Sequence, residues 1–462
     1  MKRFIPLLLL TGCAIGPDYK EPTIIVAEQY VEQQGGEESP QEEAWWSDFN
    51  DETLTTLIDR ATAESPSLHA ALARIQQARA HYRHASAELW PEVNANAQAI
   101  RQRISQNLFD SPFFGPPDQS YFQVGFDALW ELDIFGKRRR AQQAAWYEFE
   151  AEQDATRYVY ITLLSDIART YIELRATQQA LSIWENRVAL ERELFSLATA
   201  RELSGLTSAI ERADALATLR SAEQSLNAAQ TGERQAIFRL AALVGERPES
   251  LEPAIATRAP LPMPTKQRIA AVPSELLKQR PDIRRAERLM AAQSASIGAA
   301  IGELYPSITL GADYAYQSNA IDKLLSPVSR AWSVGPGIKW AILHFGRIRA
   351  NIKTAKARYQ EAFHTYEQTV LDALRDVESA FAAYYSQLEA LIDAQSELEA
   401  REEVAHFEEA KYKSGLTSYP DALLAKRIAL ETALTELEAR RTLSTDFIAL
   451  YKALGGGWQC SD

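Results

Sequence analysis

Two windows of this chain, residues 137–203 and 347–413, contain neither glycine nor proline, and both run into the same five residues, Ser-Gly-Leu-Thr-Ser. An unbroken helix over either window would be about 100 Å long at 1.5 Å per residue. Apolar residues within them step by threes and fours: Tyr160, Leu164, Ile167, Tyr171 and Leu174 in the first, Val370, Leu374, Val377, Phe381, Tyr384, Leu388 and Leu391 in the second. Such heptad seams demand a helical partner. The pentapeptide supplies it by turning the chain back. Its glycine suits a helix C-cap and its Thr-Ser suits the next N-cap. A second long helix is predicted from Ala209 to Val244, and its twin from Asp421 to Leu454.

The pentapeptide is one landmark of a longer internal repeat. At the same 210-residue offset, Val124-Gly125 matches Val334-Gly335, Trp130 matches Trp340, Phe135-Gly136 matches Phe345-Gly346, Asp166 matches Asp376 and Gly245 matches Gly455. Upstream the offset is 215: Pro66 with Pro281, Glu88-Leu89 with Glu303-Leu304, Pro91 with Pro306. The first structural repeat is assigned to 46–245 and the second to 273–458, with a proline-rich linker over 246–272 and a short tail over 459–462.

Each repeat also carries alternating stretches. Val93, Ala95, Ala97 and Ala99 alternate with polar residues, as do Ile308, Leu310, Ala312 and Tyr314. Phe122, Val124, Phe126, Ala128 and Trp130 alternate with Gln123, Gly125 and Asp127; Trp332, Val334, Ile338 and Trp340 repeat the pattern. Period two predicts four strands in two hairpins. Strands of about ten residues with one apolar face suit a lipid-facing barrel. Four cannot close one, because the smallest barrels use about eight. An open edge in lipid is not tolerated, so membrane strands of this kind require oligomerisation. Three copies would give twelve strands and twelve helical segments.

Composition narrows the function. The formal charge of −13 argues against a nucleic-acid partner. Two cysteines, Cys13 and Cys460, give no disulfide framework. The start, MKRFIPLLLLTGC, reads as a secretory signal over 1–12. Its end resembles a bacterial lipobox, which implies cleavage before Cys13 and acylation of that residue, so that a lipidated N-terminal segment (13–45) tethers the chain to a membrane. Ala14, in place of an aspartate, favours the outer membrane by resemblance to lipoprotein sorting.

Several segments, in order, resemble the TolC-like outer membrane factors, in the lipoprotein branch that serves RND-type efflux systems. They are GPDYKEP after Cys13, WWSDFNDETLTTLI at 45–58, RPDIRRAE at 280–287, YPSITL at 305–310, FGRIRANI at 345–352 and LGGGW near the end. The resemblance implies a mainly α protein with a membrane β-barrel. It implies two tandem repeats, each a β-hairpin plus a long α-helical hairpin, and a homotrimer forming a 12-stranded β-barrel and a 12-helix α-barrel. Such a protein is a passive exit duct in the outer membrane of a Gram-negative bacterium, embedded in outer membrane lipid and extending into the periplasm. It is not an enzyme and uses no cofactor, and its partners are a periplasmic adaptor protein and an inner-membrane RND-type pump. By the same resemblance, Gly205, Leu206, Thr207, Gly415, Leu416 and Thr417 are adaptor-contact tips, and Tyr412 and Asp421 lie at the periplasmic gate. Glu211 and Asp214 are their first-repeat neighbours. Where some relatives have a second gate aspartate this chain has Leu424. Asp421 has two readings, a ring of carboxylates that attracts cations or a helix N-terminal acid.

Other motifs carry less. Glu361-x-x-His364 and Glu403-x-x-His406 resemble half of a di-iron site. On one helix they would lie about 63 Å apart, too far to share a metal. No Walker motif or nucleophile elbow occurs. Two rival readings stand beside the efflux duct: a duct for a secreted polypeptide, and a periplasmic coiled-coil lipoprotein acting as a spacer. The four alternating strands speak against the spacer.

Overall fold

The structure, a computed structural model, describes residues 14–23, 27, 29–33, 44–103, 105, 118–265 and 279–456. Cys13, Cys460 and the far end of the proline-rich stretch lie outside the described residues. The helices are α1 (Glu52–Glu64), α2 (Pro66–Ala87), α3 (Lys137–Leu203), α4 (Ala209–Val244), α5 (Pro248–Ile255), α6 (Pro281–Gly302), α7 (Arg347–Lys413) and α8 (Tyr419–Leu454). The strands are β1 (Glu92–Arg103), β2 (Asp118–Leu132), β3 (Ser307–Ser318) and β4 (Arg330–Lys339). Helices α3 and α7 are unbroken over 67 residues each, and α4 and α8 over 36 each. α8 starts two residues earlier than the sequence reading placed it. Ser418 takes the N-cap, and Pro420 fits the first turn because its missing N–H would have no helical partner there. None of the described helices is long and apolar enough to cross a membrane.

The chain divides into two compact units. One draws on Met1–Thr23, Arg74–Gln153 and Arg285–Glu367. Its centre is an antiparallel sheet in the order β1-β2-β3-β4, so the second strand of one hairpin pairs with the first strand of the other. The registers sort side chains by chemistry. Ala95, Phe126, Tyr314 and Trp332 form one row across the sheet, and Val93, Ala128, Ala312 and Val334 the next row on the same face. On the opposite face stand Asn94, Asp127, Asp313 and Ser333, then Gln98, Gln123 and Gln317. One face is therefore apolar and the other polar, as period two requires. The apolar face is bare: Trp332 and Ile338 are each 73% exposed. Among the described residues, the outer edges of β1 and β4 have no strand partner.

Gly125 sets how closely β2 and β3 approach. A Cβ there would lie 2.4 Å from the Tyr314 carbonyl oxygen and 2.6 Å from Ala315 Cα, so no larger residue fits without separating the strands. At the lower end of the sheet, Trp130 Nε1 donates to the Leu89 carbonyl at 2.9 Å and Trp340 Nε1 to the Leu304 carbonyl at 3.0 Å. The N-terminal segment is held here too. Buried Arg140 donates to the Ile15 carbonyl at 3.1 Å and pairs with Asp18 at 2.7 Å, and Gly16 lies against Gly298 with no room for a side chain.

The second unit draws on Ile24–Ala73, Asp154–Arg284 and Gln368–Asp462. Its core is aromatic. Trp45 and Phe49, from the short 3-10 helix Trp45–Phe49, meet Tyr451 and Phe447 of α8, and Phe447 meets Tyr384 of α7. Tyr30 packs on Phe381. Asp51 caps α1 through the Leu54 amide at 2.9 Å, and its other oxygen accepts from the Tyr171 hydroxyl at 2.8 Å. Buried Arg175 donates to that hydroxyl, to Gln178 and to the Thr257 carbonyl. Residues 246–265 are thus more than a linker. Pro248 starts α5, whose Leu251 and Ile255 are fully buried, one turn apart, and Gln178 donates to the Ile255 carbonyl at 3.1 Å.

Because the atoms facing Gly125 are backbone, Gly125→Val is expected to cut the amount of folded protein in isolated membranes several-fold. Heat-modifiable migration on gels checks this; wild-type levels would show that the β2–β3 spacing is not fixed at this glycine.

Candidate functional site at the hairpin tips

The two pentapeptides close their helices in the same way. Leu206 N–H donates to the Arg201 carbonyl and Gly205 N–H to the Glu202 carbonyl, each at 2.9 Å; Leu416 and Gly415 repeat this with Lys411 and Tyr412 at the same distances. This 6→1 and 5→2 pattern is a Schellman motif. It needs a left-handed residue, and Gly205 and Gly415 stand at φ +71° and +72°. The next residue is then thrust outward. Leu206 is 73% exposed and Leu416 79%, with Leu203 and Ile210 also bare beside the first.

The surroundings of the two tips differ. At the second, the Asp421 carboxylate accepts from the hydroxyls of Ser418 and Thr417. Asp421 is the third residue of α8, so this is the acidic arm of a capping box. The Ser418 hydroxyl, aided by the Thr417 hydroxyl and the Ser418 amide, holds Asp421 below the usual carboxylate range. Tyr412 packs against Tyr419 with ring centroids 4.7 Å apart and planes tilted by 31°, and the Tyr419 hydroxyl donates to Glu193 of α3. That bond pushes Tyr419 up to about 12, so it remains a donor at neutral pH. One turn back, Lys426 at 2.8 Å and Lys413 at 3.1 Å bring Glu409 down to about 2. At the first tip, Glu211 occupies the position matching Asp421; neither Ser208 nor Ser418 caps a helix amide with its side chain, Glu211 and Asp214 are exposed, and Arg212 pairs with Glu202.

The structure therefore places Gly205, Leu206 and Thr207, with Glu211 and Asp214, at one tip. It places Gly415, Leu416 and Thr417, with Tyr412 and Asp421, at the other. Sequence reasoning missed Glu193 and Tyr419. Tyr419 directly follows the pentapeptide and could have been noticed, but its partner is 226 positions away and no local pattern marks it. The polar-face residues Asp127 and Asp313 are direct neighbours in the β2–β3 register, a pairing that alternation alone does not give. The Glu-x-x-His pairs gather no site. His364 Nδ1 lies 2.8 Å from Glu367 on the surface, and among the described residues no cluster of three or more possible metal ligands occurs.

Among the described residues the chain combines a sheet with one bare apolar face and two unpaired edges with long helical hairpins, the features of a channel protein. The chain belongs to the outer membrane efflux protein family: the model of that family matches residues 57–246 and again 272–456. It is an outer-membrane efflux channel component and not an enzyme. It is 29% identical over 460 residues to the cation efflux system protein CusC of Escherichia coli O6:H1, covering 99% of this chain and 98% of that one. It is 31% identical over 476 residues to the solvent efflux pump outer membrane protein SrpC of Pseudomonas putida, covering 98% and 97%. The solved outer-membrane channel OprN superposes with a TM-score of 0.87 at 30% identity, covering 96% of this chain and all of that one.

The carboxylates at the second tip impose a pH dependence. A group whose folded pKa is depressed adds stability above its unfolded value and loses it as pH falls through the folded value. For Glu409 that window runs from 4.5 down to about 2, and Asp421 shifts in the same direction. Amides at 415–423 are expected to lose protection as the pH falls from about 5 to about 2, after correction for intrinsic exchange, while those at 205–213 change less. Equal loss at both tips would show that these carboxylates do not hold the second turn.

Proposed function

We propose that three copies assemble into a duct through which a partner pump in the inner membrane, of the RND type, expels small molecules. The observation that carries this reading is the sheet: four strands, apolar on one face and polar on the other, with both edges open. Twelve strands from three copies would put the apolar face in lipid and the polar rows, Gln98, Gln123 and Gln317 among them, around a water-filled lumen. The matched helix lengths and the two family-model matches support a tandem duplication. Cys13 would carry the lipid anchor, and the fixed seat of Ile15 to Asp18 against Arg140 gives that anchor a firm attachment.

In this reading the tips are where the duct meets its periplasmic adaptor. Leu206 and Leu416 are the apolar contacts, presented by rigid Schellman turns. Tyr412 and Asp421 lie at the gate, with Glu211 and Asp214 as their first-repeat counterparts. The Asp421 carboxylate, although engaged by Ser418 and Thr417, remains exposed and ionised. It can serve both as helix cap and as part of a ring that attracts cations. The Tyr419–Glu193 bond ties the second helical hairpin to the first and is suited to holding the closed state.

Replacing Leu206 and Leu416 by aspartate is expected to abolish drug resistance conferred by the complete pump without lowering the amount of oligomer in the membrane. Normal resistance would remove the tips from the docking surface. Asp421→Ala is expected to weaken cation selectivity in planar-bilayer conductance; unchanged selectivity would place the constriction elsewhere.

A further inference from the structure

The apolar face of the sheet carries charge at one end only. Its lower limit is Trp340, just past β4 where the chain turns toward α7, and Trp332 stands eight residues back along the strand. At 3.4 Å per residue that is about 27 Å of strand, on the scale of the roughly 25 Å apolar band of membrane barrels. Among the described residues of the four strands, no charged side chain occurs on this face below Trp332 and Ala99. Beyond them, toward the hairpin loops, the chemistry changes. Arg330 stands two residues past Trp332, and Arg101 and Arg103 stand two and four past Ala99, all by alternation on the apolar face.

The surroundings of these arginines point away from the lumen. The polar face at this end of the sheet is uncharged: Gln102 faces Gln119, and Gln123 faces Gln317. The carboxylates of that face, Asp127 and Asp313 among them, lie further toward the helices. Cations serving solutes inside the barrel would stand on the polar face, and these do not. They are also short of partners. Arg101 is exposed and has no partner among the described residues. Arg103 meets Asp118 only at 4.0 Å, with their side chains 72% and 58% exposed. Arg330 donates Nε–H to the Pro327 carbonyl at 3.1 Å, which leaves its terminal nitrogens to solvent. The helix end of the sheet uses different groups: the indoles of Trp130 and Trp340 bond to backbone carbonyls, and no described cation of the strands stands on the apolar face there.

We infer that Arg101, Arg103 and Arg330 hold the phosphate groups of lipids in the outer leaflet, on the side away from the helices. The inference rests on the lipid-facing reading of the sheet given above and adds what that wall binds. A guanidinium offers a planar fork that matches two phosphate oxygens. Arg101 and Arg103 are rooted about 7 Å apart on one strand face, so both can engage one phosphorylated headgroup. Arginine on the lipid face is disfavoured at the midplane and tolerated near the interface, which suits the position of all three beyond the apolar band. Aromatic residues mark the same depth: Tyr316 lies directly opposite Arg330, and Trp332 is 73% exposed.

The test uses the full chain in neutral detergent, with native mass spectrometry counting bound lipid. The probes are phosphatidic acid, whose phosphate is an open monoester, and phosphatidylcholine of the same acyl chains, whose phosphate is screened by choline. The wild type is expected to retain phosphatidic acid at least about five-fold better, because charge-assisted forks need free phosphate oxygens. R101Q/R103Q/R330Q is expected to lose that preference, while K353Q/K356Q/R358Q, which removes the same charge from exposed positions of α7, keeps it. An unchanged preference in the first variant would overturn the inference. Equal loss in both would overturn it too, since net charge alone would then explain binding. Inorganic phosphate at equal concentration is expected not to displace the lipid; full displacement would make this a site for free phosphate. The underlying reading is tested separately by quenching with brominated acyl chains after reconstitution. The quenched tryptophan signal is expected to fall in Trp332→Phe, and no fall would take the apolar face out of lipid whatever the phosphate result.

Discussion

The strand end of this protein is governed by one constraint: a backbone N–H or C=O facing hydrocarbon without a partner costs several kcal/mol. The sheet satisfies it at three ladders and leaves it unmet at two edges. The oligomeric duct proposed above would close those edges with another copy. One face is apolar across all four strands and the other polar, so the sheet separates lipid from water only as part of a closed wall. Gly125 permits a tight approach where the chain supplies the neighbouring strand, whereas a Cβ on Gly335 would meet nothing within 4 Å.

The helical part has a different logic. Long helices without glycine or proline gain little from propensity alone and need a seam to pack. Here the seam meets an aromatic core in which Trp45 and Phe49 from one short helix join Tyr384, Phe447 and Tyr451. Buried Arg175 draws α3, the capping residue of α1 and the segment after α5 into one network, through Tyr171 and the Thr257 carbonyl. Its cost of burial is offset because each of those donors has an acceptor. The tips are the reverse case. Their backbone bonds are complete, yet their leucines are bare. A turn that is rigid in its backbone and unsatisfied in its side chain is suited to docking, because little ordering entropy remains to be lost.

Much of this was legible in the residues. The glycine- and proline-free windows marked α3 and α7, because only a continuous helix avoids both residue types for so long while keeping a three-four apolar step. Alternation marked the four strands, and the repeated pentapeptide marked both turns. What stayed hidden were relations across distance. The α5 helix was read as linker because proline dominates its neighbourhood, although Leu251 and Ile255 lie one turn apart and are buried. Glu193 carries no local sign of its bond to Tyr419. Asp421 admitted two roles from sequence, and the capping-box contacts with Ser418 and Thr417 became visible only once the turn was built.

The sequence by itself determined the four long helices and the four strands and their order, because period, punctuation and caps are local properties of the chain. It also determined which face of each strand is apolar, since side chains alternate whatever the partner. Only the tertiary structure decided that the two hairpins join through β2 and β3 into one sheet. It also revealed that the two tips, identical in sequence and backbone, differ in their surroundings, and that Phe135 is stacked while Phe345 is bare. The reason is that register and stacking depend on residues hundreds of positions apart, and identical local sequences acquire different roles when the chain supplies a neighbour to one and leaves the other at an edge.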